Sequence, residues 1–586
     1  MRPHPIGNGM LAGMPKSPQS PSVLAIATSC FISLALSLSV RGDQAGGDQA
    51  GGPVVRWWDE PAAQPMLDVP DWVSFDLNAI ILDALAHNPR IAAVTHQAAI
   101  SLERIVQEDA AFDPALLLES KYGSTSDPVG NSLATGGPPR LQQGSWDNRA
   151  GIVKTTRDGT RIDLSQQAGL LNSNSLFFTP NDQGNTRLNL SVTRPLRAGA
   201  GRVYNERLIV QARIDSNVTL QEMREEVQQR LAMTMTVYWR LYQSRCQLIQ
   251  QRDLLVRGLE IEKVLTARRG FDSGELEISK VQSRIARRRD DLIDRDRNLK
   301  NLQTQLAALV GSEALRPGMP LEMIPQTAPS CLPIEIDVQD AVVHAMTNRA
   351  EIRSAALELE SASLAISVTR NELLPQLDTV VGGYLAALNG DNDVARSLGD
   401  QFASRPGFNG GLQYELPYAR RAARSRHRAA HQRYLEMSER YREAVFTTQA
   451  EVETATRNLQ AALARLDTKR QVWKAAVQQE SLVRCRWESM GPDGRHAALV
   501  LEDLLDQQES RTSAEGDIVD SEVQYLLALV ELQQAMGTLL TAEGIEPTHV
   551  SRQSVQWTHS PAIEPMQPAS LPASPLTDTI ETEPKK

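Results

Sequence analysis

Residues 80–118 read IILDALAHNPRIAAVTHQAAISLERIVQEDAAFDPALLL, and residues 341–379 read AVVHAMTNRAEIRSAALELESASLAISVTRNELLPQLDT. Side by side, Asn88 falls against Asn348, Ile91 against Ile352 and Pro114 against Pro375, offsets of 260, 261 and 261 that imply one indel. Two more pairs follow in order. LSVTRPLRAGAGR (190–202) resembles LQYELPYARRAAR (412–424), with Pro195 against Pro417, and LQTQLAALVG (302–311) resembles VELQQAMGTLL (530–540), with Gly311 against Gly537. Several matches in the same order mark an internal repeat. The chain therefore reads as duplicated, with repeats at 76–311 and 337–541 joined by a Pro-rich segment, 312–336.

Each repeat carries the same succession of patterns. Asn88 is a good helix N-cap and Pro89 a good first helical residue, and the helix must stop before Pro114, because proline bars its predecessor from helical geometry. After Pro195 no proline occurs between Gly199 and Arg269, and apolar residues recur at heptad spacing. Val227, Thr234, Leu241, Leu248 and Leu255 form one row; Leu231, Tyr238 and Leu259 form another, interrupted by Arg245 and Arg252. Beyond Gly270 and Gly274 a second helix runs to Val310, with rows Ile285, Leu292, Leu299, Leu306 and Val281, Leu302, Leu309, broken by Arg288 and Arg295. Such seams belong to paired helices. About 70 helical residues span ~105 Å, nearly matched by the two shorter helices of the repeat laid end to end. The second repeat predicts helices at Ala419–Ser489 and Ala497–Thr541. The arginines in these rows read as inter-helix pairs with Glu or Asp, or as the lining of a lumen.

Between the prolines the period changes from 3.6 to 2. In TRLNLSVTR (186–194), Leu188, Leu190 and Val192 share one face; Ile162 and Leu164 do the same, and Asp158-Gly159 is a hairpin signal. The first repeat places strands within about 115–194, the second at about 376–388 and 408–416. Strands apolar on one side and polar on the other suit either an outer-membrane barrel with a wet interior or a soluble sheet capping a helical rod.

Composition narrows the function. The net charge is 61 − 71 = −10 over 586 residues, without the basic footprint of a nucleic-acid protein. Four scattered cysteines, at 30, 246, 331 and 485, make neither a disulfide framework nor a zinc ribbon. Arg2 and Lys16 precede the uncharged run VLAIATSCFISLALSLSV (23–40), an export signal, with a retained anchor as the other reading of so long a run. Residues 1–42 are thus expected as signal peptide, 43–75 as a flexible leader and 545–586, rich in Pro, Ser, Thr and Glu, as a disordered tail. No P-loop, dinucleotide-binding glycine pattern or H-E-x-x-H is present, and the expectation is no enzyme and no cofactor. His427 and His431 stand four apart, but Arg428 replaces a catalytic Glu in an arginine-rich stretch, and no metal site is expected.

From about Trp72 to Ile545 the chain resembles the TolC-like outer membrane efflux protein family. The resemblance rests on Ala86-His-Asn-Pro-Arg-Ile91, on AAFDPALLL (110–118), on LSVTRPLRAGAGRVYNE (190–206), on MTMTVYWRLYQSR (233–245), and on LEDLLDQQES (501–510) followed by VQYLLALVELQQAMGTLL (523–540). It implies a mainly α protein with a transmembrane β-barrel portion. Long antiparallel helices would form a periplasmic α-barrel continuous with the β-barrel of a homotrimer, each chain giving four strands to a barrel of 12. It also implies a channel in the cell outer membrane that exports with a periplasmic adaptor and an inner-membrane pump, with no nucleic acid. The alternative is a soluble periplasmic coiled-coil scaffold. The first repeat departs from the pattern, showing four strand-like runs where the family needs two; a hairpin at about 148–170 either extends the barrel or sits outside it.

Candidate sites follow from this topology. Leu188, Leu190 and Val192 are expected to face lipid. The helix-to-helix turns, ARRGFDSGELEIS (267–279) and RCRWESMGPDGRHAALVLEDLL (484–505), lie at the end opposite the strands. By resemblance Gly270, Gly274, Gly491 and Gly494 are candidates for the adaptor-docking tips, although Glu277 stands where the family carries a small hydroxyl residue. Arg269, Asp272, Arg486, Asp493 and Arg495 are candidate gate charges, or simply solvate a turn.

Overall fold

The computed structural model describes residues 56–267, 275–334, 336–490, 497–550 and 555–559. A short helix α1 (Asp59–Ala62) and strand β1 (Asp71–Phe75) precede the first repeat. That repeat runs α2 (Leu77–His87), α3 (Pro89–Asp109), β2 (Ala115–Pro128), β3 (Arg140–Thr155), β4 (Arg161–Ser173), β5 (Asp182–Pro195), a turn of helix α4 (Arg202–Asn205), α5 (Arg207–Ala267) and α6 (Glu275–Val310). After β6 (Leu321–Pro325) the second repeat follows the same order: α7 (Val338–Asn348), α8 (Ala350–Glu372), β7 (Gln376–Gly390), α9 (Val394–Asp400), β8 (Gly407–Glu415), α10 (Arg421–Met490), α11 (Ala497–Ala535) and α12 (Leu539–Ala542). A hairpin, β9 (Ile545–Val550) with β10 (Val555–His559), ends the described chain.

The 61 residues of α5 and 70 of α10 make rods of ~90 and ~105 Å at 1.5 Å per residue. Toward the sheet, α3, α5, α8 and α10 pack in that order; away from it the order is α6, α5, α11, α10. Each long helix thus carries two shorter ones end to end, and four helices lie abreast at either level. Most of the expected rows are core: Val227, Leu231, Tyr238, Leu241, Leu248, Ile285, Leu299 and Leu306 are buried, while Leu259 is exposed.

The two halves share one joint. Asn88 caps α3, its side chain accepting from the Arg90 and Ile91 amides, and its Nδ2 donates to the Leu309 carbonyl. Gly311, at φ +72°, abuts that cap: an added Cβ would stand 2.8 Å from Pro89 Cδ and 3.0 Å from the His87 carbonyl. In the second half Arg349 holds the capping position, and its guanidinium donates to the Ala535 carbonyl at 3.1 Å. Gly537, at φ +69°, leaves no more room: its Cβ would meet Arg349 Cα at 3.0 Å. Asn88 therefore corresponds to Arg349 rather than to Asn348, and the offset is 349 − 88 = 261, as for Ile91 and Pro114; no indel is needed. Gly537 also ends α11 at Ala535, short of the expected Thr541.

Among the described residues β2, β3, β4, β5, β7 and β8 form one sheet in that order, every neighbour antiparallel. The hairpin at 148–170 is therefore within the sheet, paired on both sides, and the expectation of four strands per chain is corrected to six. The Asp158-Gly159 turn lies where the dipeptide predicted it, Gly159 at φ +91°.

Two expectations about the flanks also change. The leader is docked from Arg56 onward. Trp58 is fully buried, edge-on to Trp473 with centroids 5.8 Å apart, and β1 pairs in parallel with β6 of the Pro-rich segment. The tail keeps structure to His559, because Ile545 is buried in the main core and Trp557 packs against it. The expected signal peptide lies outside the described residues.

Candidate functional site

Pleating sends alternate side chains to opposite faces, and the registers carry the alternation across all six strands. Leu116, Ile152, Leu164, Leu190 and Phe408 fall on one cross-strand row of one face, and Leu118, Leu188 and Leu385 on the next. Leu188, Leu190 and Val192 share that face, as their spacing predicted, with Leu190 44% exposed. Tyr122 and Trp146 pair toward the loop end of this face, and Tyr414 stands toward the helical end. The opposite face carries Glu119, Lys121, Asp147, Arg149, Gln167, Asn185 and Arg187, which line a concavity of about 650 Å³. There Arg149 pairs with Asp163 at 3.3 Å, Lys121 with Glu119, and Arg187 stacks 3.9 Å over the Tyr384 ring. The concave face is wet and of mixed sign; the convex face is apolar.

One polar interruption of the apolar face has its own cover. Gln166 lies there, and α9 folds onto that part of the sheet, where Gln401 and Gln166 exchange amide hydrogen bonds at 3.1 and 3.2 Å. Thr186 Oγ1 donates to the Ser397 carbonyl at 2.8 Å, and Ser397 Oγ to the Gly184 carbonyl at 2.7 Å. Gly184 is required, because an added Cβ would stand 2.7 Å from the backbone of Asp393 and Val394.

The arginines that interrupt the heptad rows are inside the helical layer. Arg245, 0% exposed, donates to the Ala62 carbonyl at 2.9 Å, the Gln64 carbonyl at 2.7 Å, the Met323 carbonyl at 3.2 Å and Glu322 at 2.6 Å. Burial lowers its pKa, and Glu322 partly restores it. Glu322 in turn accepts from the Met66 and Leu67 amides, so this pair fastens the N-terminal segment and β6 to α5. Arg252 donates to the Met66 carbonyl and Arg295 to Gln247, both at 2.9 Å. Arg288, also buried, donates to the Leu254 carbonyl at 2.9 Å and reaches Glu509 at 3.4 Å. Farther up, Arg56 makes two hydrogen bonds to buried Glu522. This clamp was not anticipated; the adjacent tryptophans Trp57-Trp58 in a polar leader were its signal.

At the far end, α5, α6, α10 and α11 close around one apolar cluster that includes Ile261, Leu265, Val281, Ile285, Leu501 and Leu504. Arg284 bridges to Asp506 at 2.6 Å and Glu509 at 3.1 Å, and Lys280 to Glu502 at 3.3 Å, tying α6 to α11. Arg486 is exposed in the last turns of α10. Arg269, Gly270, Asp272, Gly274, Gly491, Asp493, Gly494 and Arg495 lie outside the described residues. His427 Nδ1 lies 3.1 Å from Thr369 Oγ1, and no metal-ligating group occurs among the described residues. Burial pushes the Cys246 and Cys331 thiols up to about 12, which disfavours their thiolates. No helix among the described residues is long and apolar enough to cross a membrane.

Residues 341–538 match the model of the outer membrane efflux protein family. The second repeat is thus similar to an outer membrane efflux protein domain. The efflux-protein match stops short of the first repeat, which nonetheless shares its joint and element order. No curated protein matches the chain. Among solved structures, the chain is similar to the Campylobacter jejuni CmeC outer membrane channel, with TM-score 0.59 and 11% identity over 85% of this chain and 94% of that one. It is similar to the Vibrio cholerae outer membrane protein VceC, with TM-score 0.55 and 16% identity over 79% and 96%. The open state of the Neisseria gonorrhoeae MtrE outer membrane channel gives TM-score 0.54 and 17% identity over 79% and 89%. At such identities the likeness establishes a shared fold.

Proposed function

We propose that the protein is an outer-membrane exit duct, a passive conduit from periplasm to exterior. The observation that carries the reading is a single sheet with an apolar convex face and a charged concave face, joined directly to long helical hairpins. Strands β2 and β8 leave the sheet with two open edges, which hydrocarbon does not tolerate, so copies of the chain must close the barrel together. Since β2 and β8 run in opposite directions, edge-to-edge closure between copies is antiparallel throughout. A homotrimer is the assembly that the family resemblance supports. The strands lie in the outer membrane and the helices in the periplasm, with Leu188, Leu190 and Val192 against lipid. An inner-membrane pump supplies energy and a periplasmic adaptor docks at the tips around Gly270, Gly274, Gly491 and Gly494. Arg269, Asp272, Arg486, Asp493 and Arg495 provide the charges that hold the mouth closed.

Fractionation tests the reading. The protein should remain with the outer membrane through a carbonate wash and run as an oligomer in mild detergent. Release as a soluble monomer would overturn the duct and leave a periplasmic coiled-coil scaffold.

A further inference from the structure

The β3–β4 hairpin has a consequence for what can pass. It is fastened at both ends. At the helical end, Arg157 in its turn pairs with Asp109 at 2.7 Å and Glu206 at 3.4 Å, and the Gly201 amide donates to the Asp158 carbonyl at 3.3 Å. A Cβ on Gly159 would stand 2.7 Å from Asn205 Nδ2 and 2.9 Å from the Gly199 carbonyl, so the turn is seated tightly at the strand-to-helix passage. At the loop end, the Leu176 amide donates to the Thr135 carbonyl at 3.0 Å and the Gln142 amide to Asn174 Oδ1 at 2.9 Å, tying the loops on either side together. The hairpin is therefore as much a part of the wall as β2 and β5.

Wall width follows from strand number. Strands ~4.8 Å apart and tilted by ~40° each occupy ~6 Å of circumference. Six strands give an arc of ~38 Å per chain; four would give ~25 Å. The four helices abreast in the same chain, at 8–10 Å between axes, occupy roughly 32–40 Å. Six strands thus continue the helical layer at equal width, whereas four would taper it by about a third. Closed by three copies, the backbone radius is ~18 Å with six strands per chain and ~12 Å with four. Over the concavity Lys121, Arg149 and Arg187 are matched by Glu119, Asp147 and Asp163, while Asp127, Asp378 and Glu415 against Arg161 leave the whole wet face net negative.

We propose that the β3–β4 hairpin sets the width of the outer opening, making it as wide as the helical tunnel and passable to hydrated polar solutes about 20 Å across. This rests on the duct reading. The test is the wild-type assembly imaged by electron cryo-microscopy. Six strands per subunit and a backbone radius near ~18 Å are expected. A closed barrel with four strands per subunit and the hairpin outside it overturns the inference and leaves the duct intact. A protein that forms no closed assembly overturns both.

A variant lacking residues 132–178, which joins the loop after β2 to the loop before β5, gives a second reading. Its barrel cross-section should fall about twofold, with a matching drop in the largest polyethylene glycol admitted from the barrel side. An unchanged size limit overturns the inference. If this variant does not assemble, the wild-type image decides alone.

Discussion

Replacing Arg245 with methionine should free the N-terminal segment from the helical layer. The residue is fully buried, and its guanidinium reaches three carbonyls, of Ala62, Gln64 and Met323, besides the Glu322 carboxylate. Breaking a buried ion pair by removing one partner costs about 3–5 kcal/mol, mainly because the other charge stays buried. Here the lower end applies, since Glu322 keeps the Met66 and Leu67 amides. A loss of ~3 kcal/mol raises the local opening equilibrium roughly 150-fold. Hydrogen exchange in the detergent-solubilised assembly reads this directly at the Met66 and Leu67 amides. Adding Glu322→Gln removes the stranded charge, so the double variant should lose less than the sum of the two single changes. Unchanged exchange at Met66 and Leu67, or strict additivity of the two substitutions, would refute the claim that this pair is the clamp.

Two further expectations concern the sheet and the joint. Leu190→Arg puts a charge on the convex face at a cost of about 2–4 kcal/mol near the bilayer midplane, whereas Asn189→Arg puts it on the wet face. The yield of assembled protein in the outer membrane should fall only for the first, and the opposite result would invert the assigned faces. Burial, then repulsion from Glu351, hold the Glu225 carboxyl above its ordinary pKa. A raised folded value contributes stability that is complete below the ordinary carboxylate range and is lost as pH rises through the raised value. Glu225→Gln should therefore raise thermal stability at pH 8 and leave it unchanged at pH 4. An equal gain at both pH values would exclude the ionisation as its cause.

What could be read from the sequence was what has a period or a fixed backbone demand. The faces of the strands follow from alternation, because a slip of one residue would exchange every side chain between core and solvent sides. Gly311 and Gly537 were legible as equivalent from the match of LQTQLAALVG with VELQQAMGTLL, and both stand at positive φ against a helix joint, where no side chain fits. The joint itself misled. Identity suggested Asn88 against Asn348, yet the position needs only a donor that reaches the neighbouring helix end, and Arg349 meets that need as Asn88 does. The same limit hid the partners of Arg245. A charge in a heptad row looks like a wet interface, and nothing periodic announces that Glu322 and the carbonyls of residues 62–64 will come from distant, irregular chain to bury it. Membership of the β3–β4 hairpin in the sheet was open for a related reason. Alternation fixes which way a strand faces, but not which edge it joins. The hairpin's strands pair with β2 and β5, and contacts outside the strands, Arg157 with Asp109 and Glu206, set the turn against the same strand-to-helix passage that begins the helical layer.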